Sequence, residues 1–235
     1  MRLDTTLLFA DTMTEDEDLY RFLVRAAANV GAPLIRIADG RDIWQVFRDE
    51  RMLGNTRADP CSRVLKRELT RKWLAVNRDP ADTTVVLGFD WTEIHRLDRA
   101  RLAWVPWTID APMTRPPYRL RAELLADLET AGIAVPRLYR MGFEHNNCGG
   151  GCVKAGLGHF AQLLRVFPAR YAEWEANEES VRVHLDRDVA ILRDRSDDET
   201  TPLTLRALRE RIEAGASAGI WDGIGGCGCF EDPAA

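Results

Sequence analysis

The sequence predicts a three-layer α/β protein with a mostly parallel sheet and a helical C-terminal extension. Short apolar runs, typical of strands buried in a parallel sheet, recur in the first 90 residues. Amphipathic helical segments alternate with these runs, an order that favours right-handed parallel crossovers. The chain has 235 residues, of which 46% are hydrophobic and 29% charged, so it is long enough to build one well-packed core.

The N-terminal segments predict a strand–helix–strand unit. The first strand is the apolar run 5–10, and residues 14–17 follow as a capping box that places acids at the positive end of a helix. Gly31 ends this helix, and the second strand covers 33–37. A third buried strand is predicted at 83–87 and is closed by Gly88.

Further helices follow from helical spacing of apolar residues and from caps. Asp59-Pro60 marks one start, with a capping side chain before a proline at the first helical position. Trp104 and Trp107 are predicted to pack in the core or under a lid, with a stacking platform as the alternative. The remaining predicted helices cover 43–48, 119–131, 160–166, 171–183 and 204–214, and an edge strand is predicted at 189–192. We expect one α/β domain over 1–150 and a helical extension over 151–235, packed on it.

Charge and hydropathy narrow the class of protein. The net charge is −5, which argues against a general nucleic-acid binder. Residues 57–121 nevertheless hold 13 Lys/Arg against 8 Asp/Glu, which favours a small anionic ligand unless the cluster is a solvated surface. The sequence contains no apolar run of about 20 residues and opens without an apolar signal segment, so we expect a cytoplasmic protein with reduced thiols and no membrane partner.

Five cysteines are the strongest chemical signal. Cys148 and Cys152 flank a glycine-rich turn, Cys227 and Cys229 lie near the C-terminus, and Cys61 stands alone. Such thiols can hold zinc or an iron–sulfur cluster such as [4Fe–4S]. Cys61 together with Cys227 or Cys229 would complete a four-thiolate set, with His145 as a substitute ligand. Paired thiols without metal and plain packing remain alternatives.

Cys61 falls in the first turn of a predicted helix, beside Arg63 and Lys66. The helix dipole and these cations would lower the pKa of the thiol and attract a phosphate or sulfate. A buried structural thiol beside a solvated basic face is the alternative interpretation.

Two other positions are candidates for ligand binding. Asp11 and Thr12 follow a predicted parallel strand, at the end where α/β proteins bind ligands, although an ordinary turn is equally compatible. Arg96 and Arg99 lie on one face of a short helix after Gly88 and can grip phosphate, although surface arginines are common.

Four motifs in order resemble the phosphoadenosine phosphosulfate (PAPS) reductase family of the adenine-nucleotide alpha-hydrolase-like (PP-loop) superfamily. The similarity covers roughly residues 5–155 and is nearest to the bacterial and phage branch. The motifs are Phe9-Ala10-Asp11-Thr12; Cys61-Ser62-Arg63-x-x-Lys66; Val85-Val86-Leu87-Gly88 with Glu93, Arg96 and Arg99; and Pro136-x-Leu138-Tyr139-x-x-Gly142-Phe143 with Cys148 and Cys152.

The resemblance implies a HUP/PP-loop-like fold and an oxidoreductase or sulfur-transfer enzyme that binds an adenine nucleotide, PAPS or ATP. It implies Asp11, Thr12, Arg63, Lys66, Gly88, Arg96 and Arg99 as substrate-binding residues. Cys227 or Cys229 in the glycine-rich tail would be the thiol nucleophile, with a thiol donor such as thioredoxin as partner.

The family's Ser-Gly-Gly-x-Asp-Ser phosphate loop has no counterpart in this sequence. The chain begins where the family's second strand would lie, so we expect either an upstream start or loss of the loop. The second possibility leads to a different hypothesis: a non-catalytic, metal-bound scaffold that binds a nucleotide or a partner.

Overall fold

The computed structural model describes residues 4–194 and 199–215. Its strands are β1 (Leu7–Asp11), β2 (Leu34–Ala38), β3 (Thr84–Val86), β4 (Thr108–Asp110), β5 (Leu192–Asp194) and β6 (Thr201–Leu203). Its α-helices are α1 (Glu17–Val30), α2 (Ile43–Asp49), α3 (Pro60–Ser62), α4 (Leu69–Asn77), α5 (Ile94–Ala103), α6 (Arg121–Thr130), α7 (Arg137–Arg140), α8 (Leu157–Val166), α9 (Pro168–Leu185) and α10 (Leu205–Glu213).

The described strands form three separate two-stranded sheets. β1 pairs in parallel with β2, in the register Leu7 to Leu34, and β3 pairs in parallel with β4. β5 and β6 are antiparallel. The predicted α/β class with parallel strand pairs is therefore confirmed, whereas the continuous three-layer sheet is not.

The helix α1 connects β1 to β2 and lets the two strands lie parallel. β1 leads into α1, whose N-cap is Asp16 rather than the predicted Thr14, because the Asp16 carboxylate accepts from the Asp18 amide at 3.1 Å. Gly31 ends α1 in the left-handed conformation, with φ of 71°, as its sequence position predicts. The chain can then return alongside β1 as β2.

Residues 60–77 form one run of helix with an unusual middle. Pro60 occupies the start of α3, as predicted, but the Asp59 side chain makes no capping bond and instead approaches the Arg67 guanidinium at 3.4 Å. Between α3 and α4, Arg63–Glu68 is π-helical. Such segments are rare and are found frequently at functional sites.

The buried apolar residues form two clusters. The first core joins α2, α3, α8, α9 and α10, and includes Phe47, Leu65, Phe160 and Leu205. It draws on residues from both sides of position 150. The second core is built from the end of α4, β3, α5 and β4, where Trp104 and Trp107 are buried, as predicted. None of the described helices has the length and apolar character needed to cross a bilayer.

Candidate thiol site

Three cysteines from distant parts of the chain meet at one cavity in the first core. Cys61, Cys148 and Cys152 are 7%, 8% and 9% exposed, and all three line a cavity of about 20 Å³. Thr12 and Lys66 line the same cavity. The structure thus brings together five residues that sequence reasoning had assigned separately to a metal site and to a substrate site.

The glycine-rich turn positions the second and third thiols. Cys148 has a φ of 48°, in the left-handed region that a residue with a side chain rarely adopts. Cys148 and Cys152 are hydrogen-bonded to each other, and this contact together with burial raises the pKa of the Cys148 thiol. The Cys148 thiol is therefore protonated at neutral pH unless a cation compensates the charge of its thiolate.

Gly151 shows how tightly this turn is packed. A Cβ atom at Gly151 would lie 2.3 Å from the indole of Trp174, so only glycine fits here without a shift of its neighbours. Trp174 also contacts Trp44 and Phe160, with ring centroids 4.9 and 5.8 Å away. The aromatic side chains of the first core thus hold the cysteine turn in place.

The helical run 60–77 positions Cys61 and Lys66. Cys61 lies in α3 and Lys66 in the π-helical segment that follows, and both line the cavity. The Lys66 side chain is 13% exposed. The helical run therefore presents a thiol and an ammonium group to the same cavity.

Glu15 connects these segments, and sequence reasoning missed this role. Its side chain is 3% exposed; Oε2 accepts a hydrogen bond from the Cys148 amide at 3.0 Å and Oε1 accepts one from the Thr12 hydroxyl at 3.1 Å. The Lys66 ammonium lies 3.6 Å from Oε1. The sequence marked Glu15 only as part of a helix start, because the partners that connect it to the cavity, Lys66 and Cys148, are 51 and 133 positions away.

Asp16 is a second buried carboxylate that sequence reasoning did not single out. It is fully buried and accepts from Arg137 at 2.7 and 2.9 Å and from Arg170 at 3.1 Å, while Arg170 also donates to the Gly149 carbonyl at 2.5 Å. Burial raises the pKa of Asp16, but the hydrogen bonds from Arg137, Asp18 and Arg170 outweigh it and lower the pKa. This network ties α1, α7 and α9 to the cysteine turn.

Asp11 has a structural environment rather than an open one. It is fully buried; its carboxylate accepts from the Met13 amide at 2.8 Å, from the Tyr20 hydroxyl at 3.1 Å and from the Arg36 guanidinium at 2.6 Å. These donors occupy the oxygens that a ribose would need. Thr12, the next residue, is the one that reaches the cavity.

The predicted anion-binding cations have carboxylate partners. Arg63 pairs with Glu50 and, at 2.6 Å, with Glu68. Arg96 is buried in the second core, where it pairs with Glu93 and lies 4.5 Å from the centroid of the Phe89 ring.

Gly88 and Arg99 are exposed, and neither is among the described residues that line the cavity. The predicted substrate-binding cations are thus divided between the two cores: Lys66 lies at the thiol cavity, and Arg96 lies in the second core.

The described cysteines do not by themselves form a complete metal site. Within residues 4–194 and 199–215, no group of three or more His, Cys, Asp or Glu side chains is arranged to hold a metal ion. Cys227 and Cys229, predicted as a fourth ligand and as nucleophiles, lie outside the described residues. Cys61, Cys148 and Cys152 are the described residues that can contribute thiolates.

No family model matches this chain, and no curated protein or solved structure shows significant similarity to it.

Proposed function

We propose that this protein is a metal-thiolate α/β scaffold in which Cys61, Cys148 and Cys152 bind a metal, with Cys227 or Cys229 as the fourth ligand. The observation that carries the proposal is the convergence of three buried thiols from sequence-distant segments on one cavity. Random packing of scattered cysteines gives no reason for a glycine-rich turn to place two of them at the same cavity as a third.

The size of the cavity favours a single ion. About 20 Å³ is close to the space that one water needs, so it suits zinc better than a four-iron cluster. Zinc–sulfur bonds of about 2.3 Å require the thiols to turn toward a common point and to lose their protons.

Charged groups of both signs surround the cavity. Zinc with four thiolates carries two net negative charges. Lys154 in the cavity wall would offset part of this charge, whereas Lys66 is paired with Glu15 and Asp59 lines the same cavity. Zinc would also reverse the raised pKa of Cys148, because a coordinated thiol is held as the thiolate.

A second candidate is a sulfur-handling enzyme similar to PAPS reductases, with a HUP/PP-loop-like arrangement of its strands and an adenine nucleotide as substrate. The observation in its favour is that Thr12, at the carboxyl end of β1, lines the same cavity as the thiols. A tail thiol, Cys227 or Cys229, would then act as nucleophile. The carboxylate partners of Arg63 and Arg96 make this candidate the weaker one.

Elemental analysis of the full chain, purified without oxygen, tests the first proposal. We expect about one zinc per chain, and we expect Cys61→Ser and Cys148→Ser to lose most of it. Val153→Ala removes volume from the same cavity wall without removing a thiol, so this control should keep its zinc. If elemental analysis finds iron and labile sulfide, the metal is an iron–sulfur cluster and not zinc. Full metal retention in Cys148→Ser would overturn the ligand set. Saturable binding of PAPS or ATP would favour the second candidate.

A further inference from the structure

The second core carries an exposed surface of aromatic and apolar side chains. Trp91 and Tyr118 are 38% and 59% exposed, and their ring centroids lie 5.8 Å apart. The other members come from the segment between β4 and α6. We call this surface the aromatic patch, and its residues, all of them exposed, are Trp91, Met113, Pro116, Pro117, Tyr118 and Leu120.

Contacts with the rest of the chain hold the aromatic patch in place. The Trp91 indole N–H donates to the Arg119 carbonyl at 3.2 Å, which ties the turn after β3 to the segment after β4. Arg115 donates to both carboxylate oxygens of Asp110 at 2.8 and 3.0 Å. The two prolines restrict the backbone further, because each ring fixes its own φ. A surface that is ordered before binding loses little conformational entropy when it is covered.

Two arginines that border the aromatic patch are neutralised within the chain. Arg115 is paired with Asp110, and the Arg119 guanidinium lies 2.9 Å from the Asp127 carboxylate. These pairs give a strongly acidic or basic partner little to gain, whereas two copies of the surface can meet without like-charge repulsion between them. Exposed apolar surface that is rich in Trp, Tyr and Met and has a polar rim is typical of protein–protein interfaces.

The aromatic patch contains both surfaces that contact with its own copy needs. It presents two aromatic rings beside two proline rings, which lose no rotamer freedom when they are buried. In a two-fold dimer the same patch occurs on both sides of the interface, so the prolines of each copy can cover the rings of the other. The patch is therefore complementary to itself.

We propose that the aromatic patch is the contact surface of a homodimer with two-fold symmetry. The two prolines of each copy pack against Trp91 and Tyr118 of the other, while Met113 and Leu120 close the edge of the contact. The paired arginines form the polar rim. None of the patch residues is in the lining of the thiol cavity, so the dimer does not depend on the metal.

Sedimentation equilibrium of the full chain over about 1–200 µM tests the dimer. We expect a reversible monomer–dimer equilibrium within this range. Because the bordering arginines are paired within each copy, the dissociation constant should change by less than about threefold between about 0.05 and 0.5 M NaCl. A monomer at every concentration would overturn the proposal. Weakening by salt of about tenfold or more would overturn it as well, because charged groups would then hold the two copies together.

Charge variants locate the contact on the aromatic patch. Tyr118→Glu and Met113→Glu each place a carboxylate against apolar surface of the second copy and should raise the dissociation constant at least about tenfold. Val183→Glu is the matched control, because Val183 is 72% exposed on α9 and lies outside the patch. Circular dichroism checks that all three variants remain folded. If Tyr118→Glu associates as tightly as Val183→Glu, the patch is not the contact surface. Zinc content of the same samples reports separately on the thiol site.

Discussion

The two cores of this protein differ in how their polar groups find partners. In the first core, Glu15 reaches Cys148 across 133 positions and Asp16 reaches Arg170 across 154. In the second core, Arg96 pairs with Glu93 three positions away, and Asp90 caps the adjacent turn. In the first region buried carboxylates join distant segments. In the second region the carboxylates pair locally, and Arg71 makes the longer-range contact, to the Ala103 carbonyl 32 positions away.

This difference shows which part of the basic stretch 57–121 belongs to the candidate thiol site. The basic stretch 57–121 runs through both regions, yet only its first part lines the thiol cavity, through Asp59, Cys61, Ser62 and Lys66. A buried carboxylate costs free energy unless it is well paired. The two buried carboxylates near the thiols, Glu15 and Asp16, therefore need an explanation that the local pairs of the second core do not need.

The largest expected contrast concerns Asp16. Asp16→Ala removes the common acceptor of Arg137 and Arg170, which stay partly buried, and should lower the free energy of unfolding by about 3–5 kcal/mol. Urea denaturation followed by circular dichroism measures this loss.

The matched control is Asp90→Ala in the second region, which removes the cap of a short 3-10 turn and should cost about 1 kcal/mol. Equal losses in the two variants would mean that the Asp16 network contributes no more than a local cap.

The second contrast is a dependence on pH that originates in the first core. Glu178 on α9 is 1% exposed and accepts from the amides of Ile191 at 2.9 Å and Leu205 at 2.6 Å. Burial raises its pKa from 4.5 to about 7, against the lowering effect of these two donors.

The sign of the effect follows from proton binding. Between pH 4.5 and about 7 the folded state holds a proton that the unfolded state has lost, so stability falls as pH rises through this window. The loss attributable to Glu178 is about 3 kcal/mol, and Glu178→Gln should remove it. Urea midpoints at several pH values measure both proteins. Parallel pH profiles for the two would show that the pKa of Glu178 does not differ between the folded and unfolded states.

The smallest contrast compares two glycines. Gly151→Ala would push a methyl group into Trp174 and should destabilise the protein by about 1–3 kcal/mol. Gly88→Ala meets open space and should change stability by less than about 0.5 kcal/mol. Thermal unfolding of both variants tests this, and a neutral Gly151→Ala would mean that the cysteine turn adapts easily.

Local sequence patterns predicted the local structure well. Gly31 ends α1, Pro60 starts α3, and the predicted helix 204–214 is present as α10, where the Thr204 hydroxyl accepts from the Ala207 amide at 3.1 Å. These features depend on neighbours within four positions. β4 was missed because three residues, Thr108–Asp110, are too few for a periodic signal and are defined by pairing with β3.

Residue type alone predicted where chemistry was available but not which groups would meet. The sequence by itself determined the alternation of strands and helices and the clustering of thiols around flexible glycines, since both follow from spacing along the chain. Only the tertiary structure decided that Cys61 and Lys66 join Cys148 and Cys152, while Arg96 turns to Glu93 and Phe89. The physical reason is that a buried charge takes whichever partner the packing of distant helices places beside it, and that packing is a property of the whole core.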